Sequence, residues 1–311
     1  MNKAPVNNLV NLSDKPGGTA ETTKNPAKRR ALTEKTMSWV FFGCALASAT
    51  AVVTICLFLF VNGFPAIGKI GVPEFLLGMR WKPSQNVFGI FPMIIGSIYV
   101  TAGAVIIGVP IGILTAVFLA HYCPKKLYGF IKPAVDLLAG IPSVVYGFFG
   151  LMVIVPVMQS VFGSGGKGIL TASILLGIMI LPTVISTAES AIRAVPPYYY
   201  EGSLALGATK ERSIFRAVFP AAKSGILSGV ILGVGRAIGE TMAVVMVAGN
   251  QAVMPESITS GVRTMTTNIV LEMGYAAELH REALIATAVV LFVFILIINL
   301  CFSAIKLGGK R

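Results

Sequence analysis

The chain has 311 residues, 55% of them hydrophobic and only 12% charged, with a formal net charge of +12 at pH 7, whereas a soluble domain carries roughly 25% charged residues. That balance excludes a soluble enzyme or binding module and defines an integral membrane protein. Cys44, Cys56, Cys123 and Cys301 form no CxxC pair and the two histidines, His121 and His280, are far apart, so neither a disulfide framework nor a metal site is expected.

Residues 1–36 are rich in Asn, Lys, Thr, Pro and Gly with almost no apolar runs, a composition that cannot bury a core. They are expected to form a disordered basic cytoplasmic tail, followed by a membrane domain over 37–311. A spanning helix needs about 20 mostly apolar residues, and six segments qualify: roughly 39–61, 91–120, 134–158, 168–188, 225–248 and 283–305. The first exceeds a signal-peptide core and reads as a retained helix. Pro110 is expected to kink or tilt the second. Asp136, at the start of the third, reads as a helix cap, with contact to the coupling machinery as the alternative. The expected fold class is an all-α integral membrane protein with six transmembrane helices.

Lysine and arginine set the orientation. With the N-terminus inside, eighteen fall on the cytoplasmic side, six outside, and one, Arg236, within the membrane. Both termini are therefore expected to be cytoplasmic, and topology with contact to anionic lipid accounts for the +12 charge. Nucleic acid is not expected as a partner, since no aromatic-interleaved basic groove accompanies the tail. Glycine, serine, alanine and threonine recur in the spans, as in GSIYVTAGAVIIG and GILSGVILGVG, which lets helix backbones approach closely in lipid.

The longest cytoplasmic connection, AIRAVPPYYYEGSLALGATKERSIFRAVFPAAKSG, is patterned as helix, turn and helix. Pro196 and Pro197 stop the preceding span, Glu201–Gly207 forms a short helix, Gly207 turns the chain, and a second helix from Lys210 ends at Pro220. An amphipathic helix resting on lipid is the alternative, but it accounts for neither the glycine turn nor the spaced proline.

The fifth span contains GVGRAIGETMAV. Counting at 1.5 Å per residue from Gly225 puts Arg236 about 16 Å in, near the bilayer midplane, where an unpaired charge is expensive. Glu240 lies one turn further, so an internal pair is available, though in the less favourable order; a partner on a neighbouring helix or subunit is the other option. A structural ion pair and an anion site are both open readings. A guanidinium fork suits a tetrahedral oxyanion. Glycines 233, 235 and 239 leave room for a solute or a helix, and Glu240 would compete for the arginine and release the anion.

The loop resembles the docking loop of ABC importer permeases, which carry Glu-Ala-Ala, then Gly four residues on, then an aliphatic-x-Leu-Pro ending. Glu201, Gly207 and Pro220 match; Gly202 and Ser203 replace the alanines, and Ala217 and Phe219 depart at the end. GRAIGETMAV and Asp136-Leu-Leu-Ala-Gly-Ile-Pro-Ser-Val-Val-Tyr-Gly147 are similar to the phosphate-specific, PstC-like permeases over roughly residues 85–305. The resemblance implies a MetI-like ABC importer permease fold, with Glu201, Gly207 and Pro220 coupling to an ATPase and Arg236 and Glu240 in the phosphate path. It also implies a second, PstA-like permease, a PstB-like ATPase dimer and an extracytoplasmic PstS-like phosphate-binding protein, in the inner membrane of a bacterium. No GxxxxGK[ST] occurs, so ATP would be bound by the partner and no cofactor by this chain. A permease for phosphonate, sulfate or molybdate is the nearest rival. An ion channel would not need the loop, and an intramembrane enzyme would want HExxH, GxSxG or paired aspartates, which are absent from the sequence.

Overall fold

The computed structural model describes residues 26–163 and 165–308, in two units that divide between Cys56 and Leu57. The expected tail lies outside the described residues up to position 25. From Pro26 on it is helical instead, because Pro at a first turn and the helix formers that follow extend the apolar helix toward the N-terminus. This helix, α1, covers Pro26–Ile70. In the first unit its side chains are apolar and almost all exposed from Trp39 to Cys56, as a helix surrounded by lipid requires.

Among the described residues six helical stretches are long and apolar enough to cross a membrane: Thr33–Ile70, Phe91–Tyr122, Ser143–Phe162, Ile169–Arg193, Lys210–Gly239 and Glu278–Ala304. In the second unit, α3 (Phe91–Val117) runs unbroken through Pro110 and packs on α7 (Ile169–Arg193), the most buried helix. Gly103 meets Ser173, Gly108 meets Gly177 and Ile180, and Gly112 meets Val184, so α3 and α7 run parallel. A methyl on Gly108 would stand 2.6 Å from the Gly177 carbonyl oxygen, which is why glycine is needed there. On another face of α7, Gly225, Gly229 and Gly233 of α10 (Phe219–Gly239) meet Ala191, Thr187 and Val184 in descending order, so this pair is antiparallel.

Two spans are broken. The third was expected to be continuous over 134–158, but α4 (Lys125–Gly140) ends before an extended Ile141, and α5 (Ser143–Phe149) restarts after Pro142. Proline disfavours helical geometry in the residue before it, and the Tyr146 hydroxyl donates (2.8 Å) to the Leu138 carbonyl, which the break leaves with only a long bond from the Ile141 N–H (3.4 Å). Asp136 therefore caps nothing. It lies inside α4, pairs with Lys132 (3.1 Å) and accepts from Ser186 (3.3 Å). The fifth span, expected over 225–248, ends at Gly239, and α11 (Met242–Val247) follows an extended Glu240.

Three π-helical turns, Phe118–Tyr122, Gly150–Ile154 and Ile214–Val218, each stand just ahead of a proline: Pro124, Pro156 and Pro220. Before Pro156 and Pro220, where the chain stays helical, the wider turn moves away the carbonyl four residues back, with which a proline ring would collide, whereas before Pro124 the helix stops at an extended Cys123. Hence α6 (Val155–Phe162) continues past Pro156, and Pro220 does not end the second loop helix as expected but sits in the first turn of α10.

At the other end, α2 (Val72–Leu77) leads into a hairpin of β1 (Trp81–Lys82) and β2 (Val87–Phe88). A buried carboxylate ties this hairpin to α12 (Met265–Glu272) and α13 (Glu278–Gly308). Glu272 accepts from Arg263 Nη1 (2.6 Å) on one oxygen and from Trp81 Nε1 (2.8 Å) on the other, with His280 Nε2 also at 2.8 Å. His280 is a mostly buried member of this node, its side chain only 13% exposed. Trp81→Phe, which keeps the ring and loses the donor, is expected to cost about 1.5–3 kcal/mol of stability, measurable by thermal unfolding in detergent.

Candidate functional site

The two breaks come together. α5 packs along α11, and a methyl on Gly147 would touch Met246 (2.7 Å) and the Ala243 backbone (2.9 Å). Gly233 faces Val184 and Ile180, near the middle of α7, so Arg236, one turn on, sits at about mid-depth in the bundle. The helix carrying it starts earlier and stops sooner than expected from the sequence.

Arg236 occupies the last turn of α10, where a cation meets the negative end of the helix dipole. Its guanidinium makes no hydrogen bond or ion pair with any described residue. Glu240 is not on the same helix face. Its backbone is extended, and its Oε1 accepts from the Ala243 N–H (3.2 Å), in the manner of a cap on α11. The Glu240 carbonyl accepts from Thr266 Oγ1 (3.2 Å), which ties α12 to the break. The internal pair open to the sequence is thus absent, and each charge sits at the helix end whose dipole favours it.

The glycines divide their work. A side chain on Gly235 or Gly239 would have no neighbour within 4 Å, whereas Gly233 is held against Val184 at 3.0 Å. One side of the helix beside Arg236 is open in the single chain, and the other is closed by α7. Two discontinuous helices side by side, with a free cation at the gap, form an arrangement that can receive an anion and hand it on. Tyr146 and Thr266 escaped the sequence reading, which had Tyr146 only as part of a motif; nothing in the local pattern marked Thr266.

The second element is the loop between α7 and α10. Helix α8 (Pro197–Ala205) carries an exposed Glu201 and begins four residues earlier than expected, with Pro197 in its first turn. Gly207 turns the chain at φ +85°, a conformation that glycine adopts without penalty. Thr209 then caps α9 (Lys210–Ser213), accepting from the Arg212 N–H (3.3 Å). Tyr198 and Tyr199 stack at 4.9 Å on the outside of the loop, and Leu206 at its tip is 91% exposed. An apolar tip on a capped, stiff loop suits a groove in another protein. Among the described residues no group of His, Cys, Asp and Glu is placed to hold a metal ion.

Six crossing helices, paired breaks at mid-depth and a rigid loop with an apolar tip define a membrane permease built to work with a partner. The chain belongs to the family of binding-protein-dependent transport system inner membrane components, whose model matches residues 108–306. It is 37% identical to a probable ABC transporter permease protein, YqgH, of Bacillus subtilis over 97% of this chain and 99% of that one. With the phosphate transport system permease protein PstC of Mesorhizobium japonicum it shares 33% identity over 87% of this chain and 89% of the relative. The probable PstC of Methanocaldococcus jannaschii is 32% identical over 78% and 84%. Among solved structures, the methionine ABC transporter MetNI in an inward-facing form aligns with a TM-score of 0.59 at 18% identity, covering 75% of this chain and all of that one. A bacterial alginate ABC transporter aligns with the same score at 14% identity, covering 88% and 96%. These likenesses show the MetI-like permease fold.

Proposed function

We propose that the chain is the permease subunit of an ATP-driven importer that carries inorganic phosphate across the cytoplasmic membrane of a bacterium, with both termini in the cytoplasm. The observation that carries this reading is Arg236, a cation without a counter-ion among the described residues at the gap between two broken helices, in a chain whose relatives are named phosphate transport permeases. The open side of α10 leaves the path to be completed by a second, homologous permease. The loop tip docks in an ATPase dimer, which binds ATP; the permease itself is not an enzyme and holds no cofactor. Phosphate arrives from an extracytoplasmic binding protein.

Arg236 offers two parallel donors to phosphate oxygens in a setting where water is scarce, so the contact is strong. A permanent contact of that strength would trap the anion. Glu240, four residues on and also without an ion-pair partner among the described residues, is the group that competes for the guanidinium and lets phosphate leave.

Radiolabelled phosphate uptake in cells lacking other phosphate importers, competed with unlabelled sulfate and phosphonates, tests the substrate. Phosphate is expected to compete and sulfate to leave uptake nearly unchanged; equal competition by sulfate would replace this reading with that of a general oxyanion permease.

A further inference from the structure

A second buried charge cluster lies where the docking loop leaves the membrane, and transport chemistry as described above makes no use of it. Glu189, four residues before the end of α7, has a side chain only 3% exposed. Its Oε1 accepts from Arg193 Nε (2.8 Å), while Oε2 has no hydrogen-bond partner and faces Lys132 Nζ of α4 at 3.5 Å. The Tyr128 phenol faces the same carboxylate, which, with burial adding, raises its pKa above the ordinary tyrosine value.

Each cation reaches further. Lys132 also donates to Ser186 of α7 (2.8 Å) and pairs with Asp136 (3.1 Å). Arg193 donates through Nη2 to the Leu119 carbonyl (2.7 Å), in the π turn that ends the second span, and its guanidinium lies 4.7 Å from the centre of the Tyr128 ring. Three elements meet at one carboxylate: the end of the second span, the root of the docking loop, and α4, which leads directly to the break at Ile141–Pro142.

The loop has other holds, but they grip the second span. His121 lies against the Tyr200 ring (5.6 Å), and Lys210 sits over the Tyr122 ring (4.6 Å). On the apolar side α4 touches its neighbours through Val135, Leu119 and Ile185, and apolar contacts of that kind permit sliding. Separating α4 from α7 would break the Lys132–Glu189 ion pair and the Lys132–Ser186 and Ser186–Asp136 hydrogen bonds together, and would leave Glu189 Oε2 buried without Lys132 facing it, a larger penalty.

We propose that Glu189 is the positioning residue that makes α4 follow α7, so that movement of the docking loop is delivered to the break in the third span beside Arg236. The inference rests on the reading of the chain as an ATP-driven permease. The cluster moves as one body because Lys132 and Asp136 of α4 are both bonded to α7, through Glu189 and Ser186, and the buried Glu189 Oε2 is faced by a cation of α4, and the bend at Ile141–Pro142 takes up the displacement. Glu189 touches neither phosphate nor the ATPase; it sets how much of each ATPase stroke arrives at the path.

The test is the ratio of phosphate taken up to ATP hydrolysed, in proteoliposomes holding the complete complex with its binding protein. Glu189→Gln is expected to leave assembly and ATP hydrolysis near wild type and to lower uptake per ATP by about tenfold. Glu189→Asp, which restores the charge, recovers most of the ratio. Lys69→Gln, removing the exposed pair with Glu282 at the opposite end of the bundle, leaves it unchanged. Should Glu189→Gln not assemble, Lys132→Met, which retains the Glu189–Arg193 pair, carries the same expectation. An unchanged ratio in either variant overturns the proposal, as does failure of both to assemble, which would mark a purely structural cluster. A wild-type complex that hydrolyses ATP without moving phosphate would instead overturn the substrate reading.

Discussion

Arg236→Gln is expected to lower phosphate uptake by about a hundredfold or more, and Arg236→Lys by roughly tenfold, since a lysine keeps the charge but not the planar fork. Neither substitution is expected to destabilise the protein. Arg236 has no hydrogen-bond or ion-pair partner among the described residues to lose, and Arg236→Gln, which takes the cation out of the bundle, also removes a desolvation cost. A structural ion pair would behave in the opposite way: its removal would lower the unfolding temperature, with uptake falling only as folded protein is lost. Uptake and thermal unfolding of the same preparations separate the two.

Glu240→Gln isolates the second charge, because a glutamine oxygen can still accept from the Ala243 N–H and hold the start of α11. Uptake is expected to slow while phosphate remains bound longer. An unchanged rate in Glu240→Gln, alongside loss in Arg236→Gln, would refute the idea that Glu240 competes for the arginine.

The second large effect is expected at the loop tip. Leu206 is 91% exposed and contributes almost nothing to the fold of the chain, so Leu206→Asp should leave thermal unfolding unchanged. If the tip is buried in an ATPase groove, the loss is that of a docked leucine, about 1.5–3 kcal/mol, or some tenfold to more than a hundredfold in affinity. Gly207→Val acts differently. A side chain there has open space, with nothing within 4 Å, but at φ +85° it is strained whatever the room. It should disorder the turn as well as weaken docking. Co-purification of the ATPase in detergent reads both, and full retention by Leu206→Asp would rule out the tip as the docking element.

Much of this was legible in the residues. Hydropathy located the six spans because lipid demands a continuous apolar surface whatever the neighbours are. The loop was legible because its turn depends on Gly207 and its caps on short-range bonding. Arg236 was conspicuous because a charge at mid-depth is expensive wherever it points. The Glu189 cluster left a trace too: Glu189 and Arg193 are spaced one helical turn apart at the end of a span. Lys132, the third member, comes from a helix more than fifty residues earlier, and no local pattern connects them.

The amino-acid sequence by itself determined that the chain is a six-span membrane protein with a stiff loop and a lone arginine in its fifth span, since each of those follows from local composition and spacing. Tertiary structure decided where the helices stop. The third span breaks after Gly140 because Pro142 disfavours helix before it and Tyr146 can bond the Leu138 carbonyl. The fifth breaks at Glu240 where Thr266 and Ala243 supply its partners. Pro220, which should have ended a helix, does not, because a π turn ahead of it clears room for its ring. A backbone can leave the helix inside a membrane only where other parts of the protein satisfy the groups it frees, and those parts come from segments distant in the chain.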